Sequence, residues 1–114
     1  MPKKSNGLIY LASPYSAPTA RQRASRYKQV CKKAAELMEA GDVVFCPIAH
    51  SHPIETLGMT GRKDGEWWLK QDFAVLEHCD KLVVYCMDGW QESYGVKREI
   101  EFADLAGIPV EFIE

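Results

Sequence analysis

The sequence carries little net charge and no long apolar run. Its 14 Lys and Arg residues against 16 Asp and Glu residues leave a formal net charge of −2, so the overall field does not favour a nucleic-acid polymer as partner. No apolar segment approaches the roughly 20 residues that span a bilayer, and there is no signal-peptide pattern. We therefore expect a cytoplasmic protein that binds neither a membrane nor a nucleic-acid polymer.

Several motifs that would indicate a cofactor-binding site or a catalytic nucleophile are also absent. The four cysteines form no Cys-x-x-Cys pair, and most lie in apolar periodic segments, which is typical of reduced, buried thiols in a cytoplasm. There is no phosphate-binding GxxxxGK[ST] loop, no GxGxxG fingerprint and no GxSxG elbow. His50 and His52 stand two apart without a clear third ligand. We expect no metal and no cofactor.

What the sequence does contain is a regular alternation of short apolar runs and amphipathic segments in a chain of 114 residues, enough for one domain, 1–114. Apolar runs predict strands at 7–12, 42–48, 81–86 and 109–113. Helical periodicity predicts helices at 19–40, 66–79 and 93–106, the first starting at a Thr19–Gln22 capping box and stopping at Gly41. The turn-rich stretch 51–65 is interpreted as a loop.

This β-α-β-α-β-α-β order predicts an α/β fold of three layers, with a parallel sheet of four to five strands and helices on both faces. In such sheets, ligands bind beyond the carboxyl ends of the strands. The segments expected at that edge are "SPYS" after the first strand, "PIAHSHP" after the second and "MDGWQES" after the third.

Two carboxylates lie on the apolar faces of predicted helices. At about 100° per residue, Glu99 falls in the middle of the apolar side of the last helix, and Asp72 falls within the inward stripe of the helix before it. Gly95, one turn before Glu99, leaves space for a ligand to approach. Such carboxylates are either rescued by Arg or Lys partners, or their pKa rises and they divide nucleophile and acid roles, as at anomeric carbons.

An anion site is predicted next to these carboxylates. Arginines, including Arg21, open the first helix, where cations oppose the helix dipole unless an anion is bound nearby. Ser13 in the preceding loop and Ser93 at the start of the last helix would add hydroxyl groups, and backbone N–H groups are available at both places. The alternative is a solvated basic face with Ser93 as an ordinary N-cap.

Aromatic residues offer a weaker indication of a base-binding wall. Trp68 lies on a predicted helix, Trp90 in the loop after the third strand and His50 in the loop after the second. Each could contact a nucleobase, although aromatic side chains at helical spacing more often belong to the core.

Three short motifs together resemble the nucleoside 2-deoxyribosyltransferase superfamily: "IYLASPY" at 9–15, Asp72 ahead of "CDKLVVY", and "SYGVKREIEFA" at 93–103. The resemblance implies a flavodoxin-like fold, a homodimer or homotetramer, and cleavage of the N-glycosidic bond of nucleosides or nucleotides. It further implies that Glu99 is the nucleophile, that Tyr10 hydrogen-bonds it, and that Asp72 handles the base and its proton.

The resemblance also suggests a substrate. Superfamily members that act on free nucleosides carry an aspartate six residues before the nucleophile, where this chain has Ser93. The spacing of Ser93, Gly95 and Glu99 matches the 2′-deoxynucleoside 5′-phosphate N-hydrolases instead. An aspartate would repel a 5′-phosphate, whereas a hydroxyl group at a helix N-terminus accepts one.

We therefore expect an enzyme that binds a small-molecule nucleotide, with Ser13, Arg21, Ser93 and Gly95 at the phosphate. Two other functions stay open: a nucleoside 2-deoxyribosyltransferase, and a non-catalytic binder of a nucleotide or nucleotide-derived signal. A third possibility is an oligomeric structural protein in which both carboxylates are paired with protein cations.

Overall fold

A computed structural model describes residues 7–114. The strands are β1 (Leu8–Ala12), β2 (Val43–Phe45), β3 (Lys81–Tyr85) and β4 (Val110–Ile113). The helices are α1 (Ala20–Glu39), α2 (Pro47–Gly58), α3 (Gly65–Leu76) and α4 (Tyr94–Ala106), with a short 3-10 turn at Trp90–Glu92. All strand pairs are parallel, in the order β2-β1-β3-β4. The expected α/β fold with a parallel sheet is confirmed, with four strands.

Alternating residues of the central strands supply the two apolar layers, because successive side chains of a strand point to opposite faces. On one face, Ile9 and Leu11 pack with α1 and with the start of α2. On the other face, Tyr10 and Ala12 pack with α3 and α4. The sheet is therefore covered on both sides, and the N-termini of the helices that follow its strands lie at its carboxyl edge.

The predicted first helix agrees with the structure because its end signals are local. The Thr19 side chain accepts a hydrogen bond from the backbone N–H of Gln22, and the Gln22 side chain accepts one from the N–H of Thr19. The helix ends at Glu39, and Gly41 adopts a positive φ of 110°, which glycine tolerates without steric cost.

The loop predicted at 51–65 is wrong for most of its length, which belongs to α2. The strand predicted at 42–48 ends at Phe45, and Pro47 opens the helix, where its missing N–H costs nothing. Pro53 lies inside the helix despite removing one hydrogen bond. The residues of α2 that follow a helical period are largely polar, so the apolar stripe that would predict a helix is missing.

α3 and α4 are joined by a small polar cluster at their N-terminal ends. The Tyr94 hydroxyl and the Arg98 guanidinium both donate to the Glu66 carboxylate. Deeper in the same interface, the rings of Phe73 and Phe102 stack with centroids 4.5 Å apart. These contacts fix the spacing of the two helices that carry the suspected carboxylates. Within residues 7–114, no helix is long and apolar enough to cross a membrane.

Candidate active site

A cavity of about 260 Å³ opens at the carboxyl edge of the sheet. Its walls come from the segment after β1, the first three turns of α2, the residues just before α3, the first two turns of α3 and the N-terminal part of α4. This is the location that the order of strands and helices predicts for a ligand site. Six of the sequence-predicted residues line it: Ser13, Trp68, Asp72, Ser93, Gly95 and Glu99.

Glu99 reaches the cavity from the buried side of α4. Its side chain is almost fully buried, and Oε2 accepts a 2.5 Å hydrogen bond from the hydroxyl of Tyr10, which lies on β1 beneath the cavity. Burial raises the pKa of Glu99 to about 8; the bond from Tyr10 lowers it, and the nearby charge of Asp72 raises it. The carboxyl group is thus held in one orientation and close to its titration point at neutral pH.

Asp72 lines the same cavity from α3, and burial raises its pKa to about 7. Within residues 7–114, neither Asp72 nor Glu99 forms an ion pair with an Arg or Lys side chain. Pairing of both carboxylates with protein cations is therefore not observed in the described residues. Near neutral pH the two groups can exchange a proton with a bound ligand, which is what acid–base chemistry requires.

Ser13 and Ser93 bring two hydroxyl groups to this cavity. Ser13 is 5% exposed, and among the described side chains its Oγ is the one buried polar atom without a hydrogen-bond partner. Ser93 is the N-cap of α4 and accepts from the N–H of Val96, which leaves its own proton free to donate. A buried hydroxyl without a partner is costly unless a ligand completes it.

Gly95 lines the cavity one turn before Glu99. A Cβ atom built at this position would have only Ser93 Oγ nearby, at 4.0 Å. The space that a side chain would occupy therefore belongs to the cavity, so the glycine keeps it open for a ligand.

The arginines of α1 serve a different purpose from the one expected. Arg21 is exposed and does not line the cavity. Arg23 and Arg26 each donate a 2.7 Å hydrogen bond to a backbone carbonyl of the segment after β1, at Ala17 and Ser16 respectively. They hold this segment in shape, and the structure brings no guanidinium of α1 to the cavity wall.

Of the three aromatic candidates, only Trp68 lines the cavity. Trp90 packs on the core and lies 5.3 Å from the ring of Phe112, at the outer strand of the sheet. His50 is exposed on α2, with its ring 5.8 Å from that of Phe45. Neither lines the cavity: His50 lies on α2 and Trp90 on the 3-10 turn, where the sequence predicts loops.

Several cavity residues were not identified from the sequence. Ile48, Ser51, His52 and Glu55 line it from α2 at helical i, i+3, i+4, i+7 spacing. His52 lies against two tyrosines, with its ring stacked on Tyr27 at 4.1 Å and its Nδ1 2.7 Å from the Tyr15 hydroxyl. The helical spacing of these mainly polar residues was the available signal for α2, but helices are usually recognised by an apolar period.

Glu55 is a further carboxylate in the wall of the cavity. Burial alone would raise its pKa. Hydrogen bonds from Trp68 Nε1 at 2.9 Å and from the N–H of Lys63 at 3.1 Å, together with the charge of Arg62, outweigh burial, so the pKa lies below its ordinary value. Glu55 is therefore ionised at neutral pH, whereas Asp72 and Glu99 are still partly protonated there. Within the described part of the chain, no group of three or more His, Cys, Asp or Glu residues is placed to hold a metal ion.

Comparison with known proteins agrees with the fold. The family model described as "Domain of unknown function (DUF1937)" matches residues 7–114. Among solved structures, the chain is similar to 2-deoxyribosyltransferase from the psychrotolerant bacterium Bacillus psychrosaccharolyticus, with a TM-score of 0.64 and 24% identity over 92% of this chain and 70% of that one. No protein of curated function has a significantly similar sequence. The likeness in structure shows a common flavodoxin-like fold, and the chain belongs to the DUF1937 family.

Proposed function

We propose that this protein cleaves the N-glycosidic bond of a (deoxy)nucleoside 5′-monophosphate. The observation that carries the proposal is that Glu99 and Asp72 line one cavity and have no cation partner within residues 7–114. Tyr10 orients the carboxyl group of Glu99. Two carboxyl groups in different environments are what glycoside cleavage uses. The likeness to a 2-deoxyribosyltransferase supports the same class of bond.

In the first step, a carboxylate oxygen of Glu99 attacks the anomeric carbon and forms a glycosyl ester. The electron pair of the broken carbon–nitrogen bond goes to the base, and Asp72 supplies the proton that the base nitrogen takes up. In the second step, water attacks the same carbon, Asp72 accepts a proton from the water, and Glu99 leaves as a carboxylate. Atoms and charges balance over the cycle, since one water is consumed and the base and the sugar phosphate are released.

The 5′-phosphate is assigned to the end of the cavity formed by Ser13, Ser93 and Gly95. Ser13 has an unsatisfied hydroxyl, Ser93 has a free proton, and Gly95 adds open space at a helix N-terminus, where the backbone N–H groups and the dipole favour an anion. Arg21 is not included, because it lies outside the cavity.

The proposal is tested by incubating the protein with a panel of ribo- and deoxyribonucleoside 5′-monophosphates and measuring the free base by chromatography. We expect release from at least one of them, and a loss of roughly 1,000-fold or more in Glu99→Gln, which keeps the size of the side chain but not the nucleophile. Glu101→Gln, on the exposed side of the same helix, is the control and should retain activity. Release that survives Glu99→Gln would contradict the proposed nucleophile.

A second candidate is transfer of the sugar to another base, which the likeness to a 2-deoxyribosyltransferase favours. It requires the same glycosyl ester but a base instead of water as acceptor. Supplying a second, isotopically labelled base distinguishes the two reactions: label appears in the nucleotide or nucleoside pool if transfer occurs. Free base and sugar phosphate alone indicate hydrolysis.

A further inference from the structure

Glu55 is a buried carboxylate in the cavity that neither step of the proposed reaction uses. In the described part of the chain, the buried residues with a charged side chain or an aliphatic hydroxyl group are Ser13, Glu55 and Glu99, and all three line this one cavity. Burying a carboxylate is unfavourable unless its hydrogen-bonding positions are filled. The way in which those positions are filled therefore indicates what Glu55 is for.

The two oxygens of Glu55 are not equally satisfied. Oε2 accepts from Trp68 Nε1 at 2.9 Å and from the N–H of Lys63 at 3.1 Å, whereas Oε1 has a single long contact of 3.4 Å with Nε of Arg62. A carboxylate has about four acceptor positions in total. Oε1 thus keeps acceptor capacity in a wall of the cavity, while Oε2 holds the side chain in place.

The charge state of Glu55 makes it a one-way recognition group. The hydrogen bonds from Trp68 and Lys63, together with the charge of Arg62, outweigh burial and keep its pKa below the ordinary value, so it is ionised at neutral pH. An ionised carboxylate accepts hydrogen bonds and donates none. A ligand atom beside Oε1 must therefore be a donor, and a carbonyl oxygen in that place would be repelled.

The sheet order decides which part of a nucleotide lies near Glu55. β2 and β3 flank β1 on opposite sides, so α2, which follows β2, and Ser93, which follows β3, bound the cavity from opposite sides. Glu55 is bonded to Trp68, which lies one helical turn before Asp72 on α3, a rise of about 6 Å. With the phosphate beside Ser93 and the base beside Asp72, the group that extends towards Glu55 is the outer edge of the base.

We propose that Glu55 selects nucleotides whose base carries an exocyclic amino group, by accepting a hydrogen bond from that group, and that it rejects bases with a carbonyl oxygen in the same place. This inference rests on the proposed function for the direction in which the nucleotide lies. Pairs such as cytosine and uracil, or adenine and hypoxanthine, differ in this one group. A carboxylate that accepts from an amino group is a known means of reading such a difference.

A purely structural role for Glu55 makes a different prediction. The residue also holds the segment before α3 through Lys63 and Arg62, and any change that loosens this segment would weaken binding of all nucleotides alike. Selection by the carboxylate instead changes the ratio between the two members of a pair. Arg62→Gln separates the two roles: it removes one tie to the segment, while the stronger hydrogen bonds from Trp68 and Lys63 still hold the carboxylate in place and favour its ionised form.

The experiment measures dissociation constants by calorimetry in the Glu99→Gln background, so that no turnover disturbs them. The ligands are dCMP against dUMP and dAMP against dIMP. We expect the amino-bearing member of at least one pair to bind about tenfold more tightly or better. Adding Glu55→Gln should bring that ratio close to one, because an amide can donate as well as accept, whereas adding Arg62→Gln should preserve it.

Equal binding within both pairs overturns the inference, even when Glu55→Gln does not fold, since that ratio needs no change at Glu55. Loss of the ratio in Arg62→Gln as well as in Glu55→Gln also overturns it, in favour of the structural role. The proposed function is judged separately: base release by the wild type without discrimination supports cleavage and overturns selection. Discriminating binding without any release supports selection and contradicts cleavage.

Discussion

The hydroxyl of Tyr10 donates a 2.5 Å hydrogen bond to Oε2 of Glu99, although the two residues lie 89 positions apart in the chain. Tyr10 is fully buried on a central strand, so its hydroxyl has no access to water and the orientation of the bond is set by the packing of α4 on the sheet. Burial and the neighbouring Glu99 and Asp72 charges raise the pKa of Tyr10, so it remains a donor at all relevant pH values. The contact fixes the direction in which the Glu99 carboxylate faces the cavity.

Removing this donor should lower the rate of catalysis more than it lowers the stability of the fold. In Tyr10→Phe we expect kcat/KM to fall roughly 10- to 100-fold, because a hydrogen bond to a charged group contributes about 1.5–3 kcal/mol. The basic limb of the pH profile, which follows the higher pKa of the two carboxyl groups, should also move upward, because the bond lowers the pKa of Glu99. Steady-state kinetics across pH measure both effects. Tyr85→Phe, outside the cavity, is the control; an unchanged profile in Tyr10→Phe would contradict a catalytic role for the contact.

The rate should depend on pH in a bell-shaped manner. Burial raises the pKa of Asp72 to about 7 and that of Glu99 to about 8, so the pair holds one proton between these values. The reaction needs Glu99 ionised and Asp72 protonated, which is the minor of the two one-proton forms. Its fraction follows the same two pKa values, so kcat/KM should be greatest between about pH 7 and 8 and fall on both sides. A profile that stays flat from pH 5 to 9 would show that these groups do not govern the rate.

Stability should decrease as pH rises through the same region. Both carboxyl groups have a higher pKa in the folded protein than their ordinary values of 4.5 for Glu99 and 3.8 for Asp72, so the folded state binds more protons than the unfolded state between about pH 4 and 8. The free energy of unfolding therefore falls in this window, by up to about 1.4 kcal/mol per pH unit for each group.

Denaturant titrations at several pH values measure this slope in the wild type and in Glu99→Gln. We expect the variant to have about half the slope above pH 5 and to exceed the wild type in stability at pH 8. His52, whose pKa is lowered by burial, acts in the opposite direction, but it is present in both proteins and cancels in the comparison. Glu77→Gln on the protein surface is the control; equal slopes in all three proteins would disprove the assignment to Glu99.

A methyl group at Gly95 should stabilise the protein and impair binding. Alanine is favoured over glycine in a helix, and a Cβ atom at this position meets no protein atom closer than 4.0 Å, so we expect Gly95→Ala to raise the free energy of unfolding by roughly 0.4–1 kcal/mol. The same methyl group occupies the cavity and should raise KM severalfold. Gly58→Ala, at the end of α2 and away from the cavity, should leave KM unchanged. A Gly95→Ala protein with normal KM would show that ligand does not approach this turn.

Truncating Ser13 should separate phosphate binding from stability. Its hydroxyl has no partner in the ligand-free protein, so Ser13→Ala should leave the free energy of unfolding unchanged or slightly higher. KM for a nucleoside 5′-monophosphate should rise, while binding of the corresponding nucleoside should not change. Calorimetry with both ligands, and with Ser25→Ala on the exposed face of α1 as control, measures the difference. An equal loss for nucleotide and nucleoside would place Ser13 away from the phosphate.

The short-range features of the chain were accessible from the sequence because they depend on neighbouring residues. The capping box at Thr19, the apolar strands and the unusual position of Glu99 on its helix all follow from local spacing. α2 was missed for the same reason, since its helical period is written in polar residues that face a cavity. Such a period indicates a helix, but the sequence does not show that its polar side lies against a cavity.

The tertiary structure alone decided which of these residues meet. It placed Tyr10 beneath Glu99, left the Ser13 hydroxyl without a partner and tied Glu55 to Trp68 across two helices, while it kept Arg21 on the surface. Each of these outcomes depends on the order of the strands and on the packing of helices far apart in the chain. None of them follows from local spacing. Local patterns in the sequence were enough to predict the fold class and the unusual position of Glu99, whereas the cavity in which Glu99 lies depends on how distant elements pack.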